Sequence, residues 1–219
     1  MPNERKNDTL SDQITDIAEK GAEWYTEKST LRALITAIPT IGGPMDVWIS
    51  TEGQKITQRR ITDLINELKS EMDKISEDKV NYDFLKSEDF FDLIVTAFES
   101  ASRTKEIEKI NLYAKIIKNS VVIEEANFSP LEYVKIISEL SLQEIWVLKQ
   151  IYETKEMNTF DDSIFSEFEN MTRDEFIFLL KRIERVGLLY EYREPGSIAS
   201  SSINFKLSNV LRKIIEYLE

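Results

Sequence analysis

The chain has 219 residues, of which 42% are hydrophobic, so it is long enough and apolar enough to bury a core. It contains neither Cys nor His, which excludes thiol nucleophiles, Cys/His zinc sites, disulfide bonds and imidazole acid–base chemistry. The formal net charge of −12 opposes indiscriminate attraction to nucleic acid or to an anionic membrane. With only 6 Gly and 5 Pro, the composition predicts a mainly α-helical protein.

The N-terminal half predicts a helical bundle. Residues 1–9 are polar and mixed in charge, and we expect them to form a flexible start without a secretion signal. Together with the absence of Cys, this start predicts a cytoplasmic protein. From residue 10 to residue 123, apolar residues recur at helical spacing in successive segments, which predicts the bundle itself. Ser87 and Thr104 are the predicted N-caps of two of its helices.

Residues 31–50 are mostly apolar, and prolines and glycines around Gly42 and Gly43 interrupt them. Because these residues oppose helix continuation, the break predicts a hinge or a tight reversal between two helices. The length of the run suggests a membrane-active hairpin, but the break would leave unpaired backbone groups in lipid. Membrane insertion is therefore the alternative, and burial in a bundle or dimer interface is the preferred interpretation. The expected hinge and interface residues are Gly42, Gly43, Trp48, Gly53, Arg59 and Arg60.

The same region carries the pattern Ile38-Pro39-x-x-Gly42-Gly43-x-x-Asp46. It is similar to a pattern in small uncharacterised bacterial helical proteins, some of them linked to mobile elements or phage defence. The resemblance covers about a fifth of the chain and implies a role in bacterial antiviral defence rather than a particular reaction. Gly42-Gly43 lacks the spaced glycines and the Gly-Lys-Ser/Thr ending of a phosphate-binding loop, so no nucleotide cofactor is expected.

The C-terminal part, residues 129–219, contains the clearest local signals. Ser129-Pro130 predicts a helix start, and Ser141 with Glu144 forms a capping box that opens a second helix. A short helix is expected around residues 163–168. Thr172 with Glu175 forms another capping box, and Gly187 is placed to end that helix in the left-handed conformation.

A β-hairpin is predicted directly after Gly187. The stretch "LLYEYR" and the alternating stretch "INFKL" are its two strands, and a last amphipathic helix follows. The order of three helices, a hairpin and a helix resembles the winged-helix superfamily over about residues 131–219, especially in "LLKRIERVGLLYEYRE" running into "INFKLSNVLRKIIEYL". We therefore expect a helical bundle followed by a winged-helix domain with a small hairpin wing.

Winged helices bind DNA, RNA or proteins, so the resemblance does not choose a partner. Residues 131–219 contain 11 Lys and Arg against 16 Asp and Glu, a net charge of −5, which favours a protein or nucleoprotein partner and a homodimer. A DNA-binding transcriptional regulator is the alternative. The acidic clusters fit helix starts better than metal sites, and we expect no enzyme activity, no metal and no cofactor. The predicted partner or nucleic-acid surface consists of Arg173, Lys181, Arg182, Arg185, Arg193 and Lys206.

Overall fold

The computed structural model describes residues 51–122, 129–154, 159–161, 164, 168, 171–192 and 204–218. This part of the chain is mainly helical, as the composition predicted. Its α-helices are α1 (Thr51–Met72), α2 (Glu88–Arg103), α3 (Ile107–Ser120), α4 (Pro130–Glu139), α5 (Leu142–Thr154), α6 (Arg173–Arg185) and α7 (Asn209–Leu218). Its strands are β1 (Thr159–Asp161), β2 (Leu189–Tyr192) and β3 (Asn204–Leu207).

The two N-caps predicted in the N-terminal half have different outcomes. Ser87 caps α2, because its hydroxyl accepts the N–H of Phe90 at 3.2 Å. The prediction for Thr104 was wrong: α3 begins after Glu106, whose side chain makes no capping hydrogen bond. Thr104 instead ends α2, and its hydroxyl accepts the N–H of Glu106 at 3.2 Å inside the turn that joins the two helices.

The C-terminal helix signals are confirmed. The Ser141 N–H donates to Glu144 Oε2 at 2.6 Å and the Glu144 N–H donates back to the Ser141 hydroxyl at 3.2 Å. Thr172 and Glu175 form the same reciprocal pair at the start of α6.

Gly187 ends α6 as the sequence predicted. Its φ is 79°, and its N–H donates to the Glu184 carbonyl at 2.9 Å while the Leu188 N–H donates to Ile183 at 3.4 Å. These two bonds form a Schellman motif, which closes α6 and turns the chain into β2.

The predicted hairpin is present and gains a third strand. Strands β2 and β3 pair antiparallel, with Tyr190 opposite Lys206, and β1 adds to the other edge of β3 in the order β1-β3-β2. Strand β1 was not predicted, because three residues are too few to show an alternating pattern. The short helix expected around residues 163–168 falls mostly outside the described residues.

Buried side chains from both halves of the described chain form one hydrophobic core. Helix α3 contacts α1, α2 and α4 on the bundle side, and it also contacts α7. Polar contacts reinforce that last junction: Tyr217 of α7 donates its hydroxyl to the Ile116 carbonyl at 3.3 Å, and Asn119 donates its amide to the Tyr217 carbonyl. In the described ranges no helix combines the length and the apolar character needed to cross a membrane.

Candidate partner-binding surface

Helix α6 presents one face to the core and one to solvent. Its buried residues recur at spacings of three and four, which anchors the helix beside the sheet; they are Phe176, Leu179, Leu180 and Ile183. The opposite face carries most of the cations predicted to form the partner or nucleic-acid surface. Arg173, Lys181, Arg182 and Arg185 are all exposed there.

Lys181 is used inside the molecule. Its Nζ lies 2.9 Å from Glu184 Oε2 and also bonds Glu191 of β2. The hydrogen bond that Lys181 donates to Glu191, with a further contribution from Glu184, raises the pKa of Lys181. Glu184 also accepts the Glu191 N–H at 2.8 Å, so this cluster fastens α6 to β2. The positive charge of Lys181 is therefore largely compensated, and Lys181 can contribute little to the binding of an anionic partner.

Arg182 is also committed to an internal contact. Its Nε lies 2.8 Å from Oε1 of Glu144, a carboxylate that is only 1% exposed at the start of α5. No hydrogen bond reaches that oxygen within the described residues, so the guanidinium compensates it mainly by its charge. We call Lys109, Ser141, Glu144 and Arg182 the Glu144 junction.

Lys109 of α3 supplies the second cation of this junction. Its ammonium donates to the carbonyls of Ser138 at 3.0 Å and Leu140 at 2.7 Å, which are acceptors at the C-terminal end of α4. Burial lowers the pKa of Lys109, while the charges of Glu106 and Glu144 oppose that change. The Glu144 junction therefore links α3, α4, α5 and α6.

The other predicted surface residues do not complete one basic patch. Lys206 lies 5.9 Å from the ring centre of Tyr190, whereas Lys181 stands over Phe205. Because successive residues of a strand point to opposite faces, Lys206 and Lys181 lie on different sides of the sheet. Arg193 lies outside the described residues. Arg185 makes no ion pair with another described residue.

Phe178 was not among the residues predicted from the sequence. It lies in the middle of the exposed face of α6, and its side chain is 61% exposed, more than any other large hydrophobic side chain in the described ranges. Lys181 and Arg182 follow it by three and four residues, so they share its face. Phe178 is an apolar residue off the apolar stripe of its helix, and that signal could have identified it from the sequence.

Two further aromatic side chains are exposed among the described residues of this half. Trp146 of α5 is 44% exposed, and its ring packs edge-on against Phe168 at 5.4 Å between centroids. Tyr190 of β2 is 43% exposed. Aromatic residues of this kind are enriched at the centres of protein interfaces.

The hinge and interface residues predicted in the N-terminal half are only partly described. Gly42, Gly43 and Trp48 lie outside the described residues, as does the rest of the apolar segment, and Gly53 lies within α1. Arg59 is exposed beside a shallow hollow of about 300 Å³. Arg60 donates to the Ser102 carbonyl at 2.9 Å, which holds α1 against the end of α2.

Comparison with models of known protein families, with curated proteins and with solved structures found no match to this chain. The described residues also contain no group of three or more acidic side chains that could hold a metal ion.

Proposed function

We propose that this chain is a non-enzymatic binding protein that recognises a protein partner through the exposed face of α6, with Phe178 as the central contact. The observation that carries the proposal is that Phe178 is 61% exposed beside Lys181 and Arg182, which already form ion pairs inside the molecule. Burying an aromatic residue at the centre of an interface contributes strongly to affinity. Phosphate recognition instead needs cations that are available to the ligand.

The proposal includes a winged-helix arrangement for the C-terminal half. The order α4, α5, α6, hairpin, α7 supports it, because that is the order on which the resemblance rests. In such an arrangement α6 corresponds to the helix that DNA-binding members place in the major groove. Here the same face carries Phe178, while Lys181 and Arg182 form ion pairs with Glu191 and Glu144, which favours a protein surface.

The test is a binding measurement with a matched pair of variants. Phe178→Ala and Phe91→Ala each remove an exposed phenyl ring, from α6 and from α2, where Phe91 is 45% exposed. Both substitutions should change the free energy of unfolding by less than about 0.5 kcal/mol, because neither ring is in the core. A partner captured from nuclease-treated host lysate is purified and titrated against both variants.

We expect Phe178→Ala to weaken binding at least about tenfold, which corresponds to about 1.4 kcal/mol. Phe91→Ala should leave affinity unchanged. Equal affinities of the two variants would reject α6 as the binding face. Capture that disappears after nuclease treatment would reject a direct protein partner.

A DNA-binding regulator is the second candidate, because Arg173 and Arg185 are both exposed on α6. Fluorescence anisotropy with duplex DNA at two salt concentrations tests it, with Arg185→Glu as the variant. Binding that weakens with salt and is lost in Arg185→Glu would favour this candidate.

The homodimer expected from the sequence also stays a prediction. Light scattering after size-exclusion chromatography measures the mass directly. A measured mass of one chain throughout the micromolar concentration range would contradict the predicted homodimer.

A further inference from the structure

The exposed face of α6 carries charges of opposite sign on the two sides of Phe178. Asp174 lies four residues before Phe178, and Arg185 lies seven residues after it. At about 3.6 residues per turn, both side chains fall within about 40° of Phe178 around the helix axis. All three side chains are exposed. This stripe therefore has an acidic end, an aromatic centre and a basic end.

Asp174 and Arg185 are also the charges of this face that a partner would meet. Lys181 and Arg182 form ion pairs inside the molecule, and Glu175 is used in the capping box at the start of α6. Neither Asp174 nor Arg185 makes an ion pair with another described residue. The helix dipole favours an acidic first turn and a basic last turn, but it does not require these charges to share the stripe of Phe178.

We propose that the partner of this face is a second copy of the chain, packed antiparallel through the two α6 helices; this inference rests on the proposed binding role of the α6 face. In a two-fold symmetric pair, every contact between two different residues occurs twice. Antiparallel pairing therefore sets Asp174 of each copy against Arg185 of the other. Parallel pairing would set like charges against each other, so the order of charges along the stripe selects the antiparallel arrangement.

The spacing along α6 fits this arrangement. At about 1.5 Å per residue, the midpoint between Asp174 and Arg185 lies about 2 Å from Phe178 along the helix axis. The two phenyl rings would therefore lie beside the two-fold axis, offset by about 4.5 Å, a separation that suits an offset or edge-to-face ring contact. Helices that cross at about 20° have axes about 8–10 Å apart, which the long Arg185 side chain can bridge.

Charge reversal followed by mixing tests this pairing in the full-length chain. Asp174→Arg and Arg185→Glu each place like charges across both contacts of a symmetric pair, so each variant alone should dimerise poorly. Mixed in equal amounts, the two variants restore opposite charges in both contacts and should form a mixed dimer. Sedimentation equilibrium from about 1 to about 200 μM measures the dissociation constants, because a single helix face is small and predicts a weak dimer.

Two controls and a second test accompany the reversals. Asp92→Arg and Lys105→Glu make charge changes of the same sign at exposed positions on α2 and in the turn after it, and both should dimerise like the native chain. Thermal melting identifies the variants that fold, and only those are scored. Phe178→Ala leaves the charges and the ends of α6 intact, so it tests the same interface without charge reversal.

We expect each reversal, and Phe178→Ala, to raise the dissociation constant at least about tenfold. The mixture should return to within about threefold of the native value. A native chain that stays monomeric at every concentration would overturn the proposal, as would a dimer that Phe178→Ala leaves unchanged. Weakening that mixing does not reverse would overturn the antiparallel order. A monomeric chain whose captured partner still depends on Phe178 would overturn this inference and leave the proposed function standing.

Discussion

The Glu144 junction makes a quantitative prediction about Arg182. Replacing Arg182 by Met keeps an apolar stem of similar length but leaves the Glu144 carboxylate, 1% exposed, without the cation 2.8 Å away. Removing one partner of a fully buried ion pair costs about 3–5 kcal/mol. The Arg182 side chain is 43% exposed, and the positive charge of Lys109 remains nearby. Solvent screening and this second cation reduce the expected cost to about 2 kcal/mol.

Urea unfolding followed by circular dichroism measures this free energy, and thermal melting provides a second reading. A loss of about 2 kcal/mol corresponds to a decrease in Tm of about 4–8 °C for a chain of this size. The control is Arg185→Met, one turn further along α6, where the arginine is exposed and makes no ion pair with a described residue. It should change the free energy of unfolding by less than about 0.5 kcal/mol.

A double-mutant cycle separates the ion pair from simple packing. Glu144→Gln keeps the size and the capping geometry of the side chain but removes its negative charge. In this background, Arg182→Met should cost no more than about 0.5 kcal/mol, because no buried carboxylate is left without a cation. If Arg182→Met costs the same with Glu144 and with Gln at that position, the electrostatic explanation is refuted and Arg182 acts through its aliphatic stem.

Three further results are expected. Gly187→Ala should destabilise the protein by about 1 kcal/mol in urea unfolding, because φ is 79° there and no atom lies within 4 Å to compensate or to clash; an unchanged midpoint would contradict this. Tyr217→Phe should cost about 1 kcal/mol through loss of its hydrogen bond to Ile116, and a stabilised variant would show that this bond contributes nothing. The hydrogen bonds from Thr172 lower the pKa of Glu175, so its contribution is present above the unfolded pKa of about 4.3 and is lost as pH falls through the folded value. The stability difference between the native chain and Glu175→Gln should therefore shrink on acidification, whereas a difference that stays constant with pH would exclude this ionisation as its source.

The parts of the fold that the sequence predicted depend on neighbours a few residues apart. The capping boxes at Ser141 and Thr172 need partners three residues away, and the Gly187 cap needs only the preceding turn. Local patterns of this kind are readable from one sequence. The three-residue strand β1 is not, because it exists through pairing with β3, more than 40 residues later in the chain.

For the candidate surface too, local features were predicted from the sequence and contacts between distant residues were not. The sequence identified α6 and its exposed cations, because helical periodicity separates the two faces of a helix. It did not reveal that Lys181 bonds Glu191 or that Arg182 contacts Glu144, 38 positions earlier. The sequence also did not show that Lys206 and Lys181 lie on opposite faces of the sheet. Phe178 was not among the predicted surface residues, although its position off the apolar stripe of α6 is visible in the sequence.

Because of these ion pairs, the net charge of the C-terminal half does not describe the surface that a partner would contact. A net charge of −5 over residues 131–219 gives an average over the domain, but a partner meets only the charges that remain uncompensated at its surface. On α6, Glu191 and Glu144 compensate two of the four predicted cations. Phe178, which is 61% exposed and uncharged, lies at the centre of that face. Charge reversal at Arg182 would therefore disturb the junction that holds α6 in place, whereas Phe178→Ala and Arg185→Glu change the surface alone and can separate a protein partner from DNA.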